Sequence, residues 1–209
     1  SEIGLDALII TGAPIEQMPF ENVTYWKELQ GILDAIKEKH IPTLFVCWAS
    51  QAALYHYYHI DKEPLPTKMF GIFSHRICGQ DPLLEGETDP IFAPHSRHTM
   101  SISDHIRRES QLQILLESDE AGIFMIKDIH LPFYYISGHL EYDLEALHRE
   151  YWRDVRKGLD IELPKAYYLH NDPERGIEDT WQGSAARIAD RWIKCNILKK
   201  RRTTAHAVV

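Results

Sequence analysis

Residues 43–58 read TLFVCWASQAALYHYY, and the character of this stretch changes at Cys47. The apolar run before Cys47 predicts a buried strand, and the residues after it predict a helix. A free cysteine is usually buried as a small apolar residue. At a sharp strand-to-helix turn it can instead be a nucleophile, because the helix N-terminus stabilises a thiolate and the next backbone N–H, that of Trp48, can donate to an oxyanion. This segment alone leaves both interpretations open.

The segments around this stretch predict an α/β fold. An apolar strand at 5–11 (LDALIIT) precedes a run with helical spacing at 23–38, and a second apolar strand at 41–48 precedes the helix that follows Cys47. The order strand–helix–strand–helix is typical of a parallel sheet with crossover helices.

Beyond Pro64 the pattern changes. Short apolar stretches alternate with turn residues, which predicts shorter, partly antiparallel strands at 69–73 (MFGIF) and 90–94 (PIFAP). A further buried strand at 133–138 (FYYISG) ends at Gly138.

Two amphipathic helices complete the predicted fold. The first covers 143–159, with Asp143 as N-cap and Gly158 as stop signal. Its apolar face is expected to hold Leu144, Leu147, Tyr151 and Val155. The second covers 181–198, with Ile188 and Trp192 facing inward.

Composition excludes several classes of protein. The 209 residues suit one domain, and the net charge of −8 argues against nucleic-acid binding. No apolar run approaches the ~20 residues of a membrane span, and the first residues lack the basic region of a signal peptide. We expect the basic cluster KKRR at 199–202 to be a solvated tail.

The cysteines indicate a reduced protein. Cys47, Cys78 and Cys195 are odd in number and far apart, and no CxxC motif is present. This pattern favours neither a disulfide framework nor a zinc site, and it fits a cytoplasmic location without a metal.

A second motif, GHLEYD at 138–143, also follows a predicted strand. Strand ends of an open α/β sheet meet at one crevice, so His139 could lie beside Cys47. A histidine there can act as a base, and Glu141, two residues on, can orient its ring. A cysteine together with His-x-Glu at strand ends therefore favours a catalytic triad over purely structural roles.

Six segments together resemble the homoserine O-acyltransferase family of methionine biosynthesis. They are GLDALIITGAPIEQMPFENVTYW, TLFVCWASQAALYHYY, LPTKMFG, FAPHSRHT, GHLEYD and YWRD. The resemblance implies a class I glutamine-amidotransferase-like, flavodoxin-like fold: a three-layer sandwich around a mostly parallel sheet. It implies a single domain over 1–209 that lacks the family's first strands, since the segment that precedes LDALIITGAP in the family is absent. It also leads us to expect a homodimer.

The resemblance assigns roles to individual residues. Cys47 would carry an acyl thioester in a ping-pong reaction, with His139 as base and Glu141 as its partner. The backbone of Trp48, Gly12 and Ala13 would form the oxyanion hole. Substrate-binding positions fall on Lys68, Ser96 and Arg153, and Arg153 suits a bidentate grip on an α-carboxylate. His95 and Arg97 are further candidates for lining the site.

Glu16 lies two residues after the GAP motif, at the family's donor-specificity position. A glycine there leaves room for a succinyl group, whereas a glutamate fills the space and repels a second carboxylate. The sequence therefore predicts acetyl-CoA as co-substrate, with no bound cofactor, and L-homoserine as acceptor.

Alternatives remain open at this stage. The family motif GHPEYD has Leu140 in place of proline here, and the C-terminal segment also departs from the family pattern. L-serine, acetylated for cysteine biosynthesis, is thus an alternative acceptor, and succinyl-CoA an alternative donor. Glutamine amidotransferase chemistry is disfavoured because VCWAS has no glycine beside Cys47.

Overall fold

The computed structural model describes residues 4–198. The segment 43–58 forms a strand and a helix with only Cys47 between them, as predicted. The strands are β1 (Leu8–Ile10), β2 (Thr43–Val46), β3 (Lys62–Ile77), β4 (Ile91–Ser101), β5 (Leu112–Ser118), β6 (Gly122–Asp128) and β7 (Phe133–Ile136). The helices are α1 (Trp26–Glu38), α2 (Trp48–Tyr58), α3 (Ser103–Arg108), α4 (Ala146–Arg156) and α5 (Gln182–Ile193).

All seven strands join one sheet in the order β1-β2-β7-β6-β5-β3-β4. The strands β1, β2 and β7 pair in parallel, and the other four pairings are antiparallel. The α/β class is confirmed, but the described sheet is mixed rather than mostly parallel. The reason is local: the short loops between β5, β6 and β7 can join only antiparallel neighbours.

The two faces of the sheet carry separate apolar cores. In β7, Phe133 and Tyr135 pack toward α1 and α2, whereas Tyr134 and Ile136 pack toward α5. This alternation follows from the two-residue period of a strand. Helices therefore cover both faces, which is the predicted three-layer arrangement.

The strand β1 differs from its prediction. We expected a buried strand at 5–11, but among residues 4–198 β1 pairs with β2 alone, and Ile9 is 58% exposed. An apolar run does not by itself reveal whether a strand is central or at an edge, because neighbouring strands supply most of the burial.

The strands β3 and β4 are much longer than the apolar stretches MFGIF and PIFAP that predicted them. Their pairing is irregular between Pro64 and Met69. Proline lacks the N–H that a regular ladder needs, so an irregularity is expected there. Lys68 lies within this irregular segment, and such bulges redirect side chains.

The C-terminal helices are shorter than predicted. Asp143 is not the N-cap of α4, because the helix begins at Ala146 with Glu145 as its N-cap. Asp143 lies in the preceding turn, where its side chain accepts the N–H of Glu145, and Gly158 follows the helix with a φ of +70°. Val155 is partly exposed, contrary to prediction, and Asp154 is buried instead. Ile188 and Trp192 face inward as expected.

The basic cluster at 199–202 lies outside the described residues. Within residues 4–198, none of the helices combines the length and apolar character that a membrane span requires.

Candidate active site

Cys47 occupies a strained turn between β2 and α2. Its backbone has φ 55° and ψ −121°, a conformation that costs a non-glycine residue about 1–3 kcal/mol. The turn is held from both sides: the Cys47 N–H donates to the carbonyl of Ile136 at 2.7 Å, and the Cys47 carbonyl accepts from the N–H of Ser50 at 3.0 Å. The sheet and the helix together impose this geometry on the thiol.

His139 reaches Cys47 because β2 and β7 are neighbours. Val46 pairs with Ile136 at the end of this parallel ladder, so the residues that follow the two strands lie side by side. A close approach to β4 fixes the next turn. The His139 N–H donates to the carbonyl of Pro94 at 2.8 Å, and a Cβ on Gly138 would lie only 2.6 Å from the same oxygen.

The side chains of Cys47, His139 and Glu141 line the same cleft. His139 Nδ1 lies 2.7 Å from Glu141 Oε1. Burial disfavours the charged ring, but its interactions with the Cys47 and Glu141 side chains outweigh that effect and raise the pKa of His139 to about 10. The ring of Tyr142 stacks on the imidazole at 4.1 Å and restricts its rotation. The arrangement suits a thiolate–imidazolium pair.

Gly12 leaves open the space in front of Cys47. A Cβ on Gly12 would lie 3.2 Å from Cys47 Cβ, 3.4 Å from Sγ and 3.6 Å from the backbone nitrogen of Trp48. A tetrahedral oxyanion formed on Cys47 needs a donor in this region. The Trp48 indole, by contrast, is packed in the core, so only its backbone can serve.

One cleft of about 730 Å³ contains most of the predicted site residues. Its lining includes Gly12, Ala13, Glu16, Cys47, Lys68, Ser96, His139, Glu141 and Arg153. The structure therefore brings together the predicted triad and the predicted substrate-binding residues.

Glu150 connects the three predicted substrate-binding side chains. Its Oε1 atom accepts from Ser96 Oγ at 2.6 Å and from Lys68 Nζ at 2.8 Å. Arg153 Nη2 lies 3.4 Å from the same oxygen, and Arg153 Nε donates to Asp154 Oδ1 at 2.7 Å. The Arg153 guanidinium lowers the pKa of Asp154, so the cluster holds two cations and two carboxylates.

Sequence reasoning missed Glu150, Asp154 and Tyr142. A signal existed in the spacing, since Glu150, Arg153 and Asp154 lie three and four residues apart on one helical face. In the sequence this pattern resembles an ordinary solvated helix face, because β3 and β4, which bury it, are distant in the sequence.

Glu16 also faces the cleft. Its Oε2 atom is buried and has no hydrogen-bond partner among the described residues. An unpaired buried oxygen is costly, which is a feature of sites that trade stability for function.

His95 and Arg97 do not line the cleft. Both are almost fully buried, at 0% and 1% exposure, so their prediction as lining residues is wrong. They alternate with Ser96 along β4, and the strand period turns them to the opposite face.

The amino-acid sequence matches a known protein family. The profile described as homoserine O-succinyltransferase matches residues 1–202. Homoserine O-acetyltransferase of Acetivibrio thermocellus is 46% identical over 189 residues, which is 90% of this chain and 62% of that protein. The enzyme of the same name from Bacteroides fragilis is 43% identical over 90% of this chain and 62% of its own length. The chain thus spans a little under two thirds of these relatives.

Solved structures share the fold at low identity. A glutamine amidotransferase from Thermotoga maritima superposes with a TM-score of 0.67 at 11% identity, covering 90% of this chain and 77% of that one. A glutamine amidotransferase from Methylobacillus flagellatus has a TM-score of 0.66 at 13% identity, covering 90% and 76%. The predicted amidotransferase-like fold is therefore confirmed.

Proposed function

The chain belongs to the homoserine O-succinyltransferase family, and on that premise we propose that it transfers an acetyl group from acetyl-CoA to the side-chain hydroxyl of L-homoserine. The names of its relatives support this reaction. The single observation that carries the proposal is that Cys47 and His139 share one cleft with a cluster of charged side chains. The reaction would serve methionine biosynthesis in the cytoplasm and need no bound cofactor.

In the first half-reaction the Cys47 thiolate attacks the thioester carbonyl of acetyl-CoA. The bond between that carbonyl and the coenzyme A sulfur breaks, and the departing sulfur takes a proton from His139. The hydrogen bond between Nδ1 and Glu141 holds the imidazole so that its other nitrogen faces Cys47. The backbone N–H of Trp48 stabilises the oxyanion of the tetrahedral intermediate.

In the second half-reaction the homoserine hydroxyl attacks the acetyl-Cys47 carbonyl. His139 takes the hydroxyl proton, and Cys47 leaves as a thiolate, which restores the starting state. Splitting the transfer in this way lets one pocket position the donor and the acceptor in turn.

The charge cluster suits a zwitterionic acceptor. An amino acid carries one carboxylate and one ammonium group, and the cluster offers both complements. Arg153 is half-exposed and can turn its guanidinium toward a carboxylate. Glu150, held by Lys68 and Ser96, can accept the ammonium group.

Glu16 supports acetyl-CoA as the donor. Its buried carboxylate oxygen occupies the cleft that contains Cys47, where the free carboxylate of a succinyl group would meet a like charge. An acetyl group has no such carboxylate.

Acyl transfer assays on the full chain test the proposal. Acetyl-CoA and succinyl-CoA are crossed with L-homoserine and L-serine, and release of the coenzyme A thiol is followed. We expect the pair acetyl-CoA and L-homoserine to react fastest. Preferential use of L-serine would mean that the chain acts in cysteine biosynthesis instead. Hydrolysis of glutamine without any acyl transfer would contradict the proposed reaction.

Intact-mass measurement tests the mechanism separately. Incubation with acetyl-CoA alone should add one acetyl group, and peptide mapping should locate it on Cys47. The variant Cys47→Ala should remain unmodified, whereas Cys78→Ala, which removes an exposed thiol, should acetylate normally. Acetylation of Cys47→Ala would exclude Cys47 as the acyl carrier.

A further inference from the structure

Behind Cys47, on the face of the sheet opposite Ser96, lies a buried series of three basic side chains. It consists of His75 on β3 and His95 and Arg97 on β4. His75 Nε2 lies 3.1 Å from His95 Nε2, and Arg97 Nε donates to His95 Nδ1 at 3.2 Å. None of the three lines the cleft, and the mechanism above uses none of them.

The hydrogen bonds fix where the protons lie. Because Arg97 Nε–H donates to His95 Nδ1, the ring proton of His95 must lie on Nε2, from which it donates to His75 Nε2. His75 then carries its proton on Nδ1 and donates to the carbonyl of Ile91 at 3.1 Å. All four ring nitrogens of the two histidines take part in these hydrogen bonds only when both rings are neutral. Burial acts in the same direction, since it lowers the pKa of His75 to about 4 and holds that of His95 well below its ordinary value.

The positive charge of the series therefore resides on Arg97, and its hydrogen-bond partners do not neutralise it. The other two bonds of the guanidinium go to backbone carbonyls, those of Thr99 at 2.9 Å and Ala121 at 2.6 Å. Among residues 4–198 no carboxylate forms an ion pair with Arg97 within 4 Å. A buried cation without such a partner is strongly disfavoured, so its retention calls for a compensating interaction.

Two connections join Arg97 to the nucleophile. The first runs through the Thr99 carbonyl, which accepts from both Arg97 Nη1 and Gln51 Nε2, while the Gln51 N–H donates to the Cys47 carbonyl. The second runs through His95, whose Cε1 atom lies 3.0 Å from where a Gly138 Cβ would be. The guanidinium is thus connected through hydrogen bonds to the turn that carries Cys47, and through His95 to the turn that carries His139.

Electrostatics agree with this placement. Burial lowers the pKa of Arg97 to about 10, and the nearby negative charges of Cys47 and Glu16 act against that lowering. Arg97 therefore stays protonated at neutral pH and attracts the Cys47 thiolate.

We propose that Arg97 is a positioning residue that holds a permanent positive charge behind Cys47 and stabilises its thiolate before the acyl donor binds. The proposal rests on the proposed function only in taking Cys47 as the nucleophile. The other titratable groups that face Cys47 are His139, Glu141 and Tyr142 from the segment after β7, and Glu16 from the loop after β1. His139 supplies a mobile proton, whereas Arg97 supplies a charge that the reaction does not change.

The test measures the reactivity of Cys47 toward iodoacetamide between pH 4 and pH 10, with the Cys47 peptide quantified by mass spectrometry. In Arg97→Gln, which keeps N–H donors but loses the charge, we expect the midpoint of the alkylation profile to move up by about one pH unit. Alkylation on the acidic side of the midpoint would then fall about ten-fold. An unchanged midpoint overturns the proposal.

His75→Asn provides the matched control, because it disrupts the same buried series and leaves the Arg97 charge in place. We expect both variants to lower the melting temperature, but only Arg97→Gln to move the midpoint. Equal midpoint shifts in the two variants would assign the effect to packing and overturn the proposal.

A measurement on the unaltered chain covers the case in which Arg97→Gln does not fold. Nitrogen-15 NMR of the imidazoles at pH 7 should find His95 neutral, with its proton on Nε2. A protonated His95, or a proton on Nδ1, is incompatible with the Arg97 hydrogen bond and overturns the proposal. Since neither measurement uses acyl-CoA, a failure of acetyl transfer is distinguishable from a failure of the Arg97 proposal.

Discussion

Ser96 Oγ donates a 2.6 Å hydrogen bond to Glu150 Oε1 and so joins β4 to α4 across the mouth of the cleft. The same carboxylate oxygen accepts from Lys68, whose side chain is only 16% exposed. An oxygen with several donors is held in one position, which pre-organises a site for a cation. Glu150 is therefore the residue whose removal should distinguish acceptor binding from acyl-enzyme formation.

We expect Glu150→Gln to lower kcat/KM for L-homoserine by about ten-fold to a hundred-fold, because a hydrogen bond to a charged group contributes about 1.5–3 kcal/mol. Acetylation of Cys47 by acetyl-CoA should proceed at the normal rate. Rapid-quench kinetics of the two half-reactions measure both quantities. Glu145→Gln, which alters a largely exposed carboxylate at the start of α4, is the control. Equal losses in both half-reactions would contradict an acceptor-specific role.

Glu141→Gln should shift the alkaline limit of activity to lower pH. The pKa of His139 is raised from its ordinary 6.5 to about 10, so the favourable pairing is complete below pH 6.5 and is lost as the pH rises through about 10. Glutamine keeps an acceptor for Nδ1 but removes the charge, and we expect the limit to fall by about one pH unit. The kcat/KM profile between pH 7 and pH 11 measures it. The control is Glu162→Gln, which alters an exposed carboxylate. If the alkaline limit of activity is unchanged in Glu141→Gln, or shifts equally in the control, Glu141 does not raise the pKa of His139.

Gly12→Ala should slow acylation of Cys47 by about a hundred-fold, which is comparable to the loss of one oxyanion donor. The added methyl group would lie 3.2 Å from Cys47 Cβ and obstruct the space in front of Sγ. Gly31→Ala is the matched control, since no atom lies within 4 Å of its new methyl group and alanine favours the helix by about 0.5–1 kcal/mol. Single-turnover acetylation and thermal unfolding measure the two effects. Normal acylation in Gly12→Ala would show that the space is not used.

Glu16→Gly should raise the ratio of succinyl-CoA to acetyl-CoA use by about ten-fold or more, because it removes both bulk and a like charge from the cleft. Competition between the two donors, read out by the mass of the acyl group on Cys47, measures the ratio directly. Glu178→Gly makes the same substitution at an exposed carboxylate that does not line the cleft, and it should leave the ratio unchanged. An unaltered ratio in Glu16→Gly would refute the assignment of Glu16 to donor choice.

The sequence predicted the parts of the site that depend on local geometry. Cys47 and His139 each follow a short apolar strand, and the ends of neighbouring parallel strands must lie together. Both were recognisable without tertiary information. The exposure of β1 among the described strands and the length of β3 were not, because they depend on which strands pair and on how Pro64 is accommodated.

The parts that escaped prediction involve polar groups buried by distant segments. Ile91, Ala93, His95 and Arg97 all face inward on β4, as a two-residue period requires. The polarity of the last two argued for exposure, and only their hydrogen bonds to β3 and to backbone carbonyls make burial tolerable. Glu150 escaped notice for the same reason, since its partners Lys68 and Ser96 are far away in sequence.

Two different parts of the mixed sheet contribute residues to the cleft. The parallel strands β2 and β7 present Cys47 and His139, while the β3–β4 hairpin and α4 present Lys68, Ser96 and Glu150. Mutations at the positions of the hairpin and of α4 that face the cleft leave the hydrogen bonds of the Cys47 turn to Ile136 and Ser50 in place. Selection for a new acceptor can therefore act on one part of the fold while the other keeps its chemistry, and laboratory evolution of acceptor choice has its natural target there.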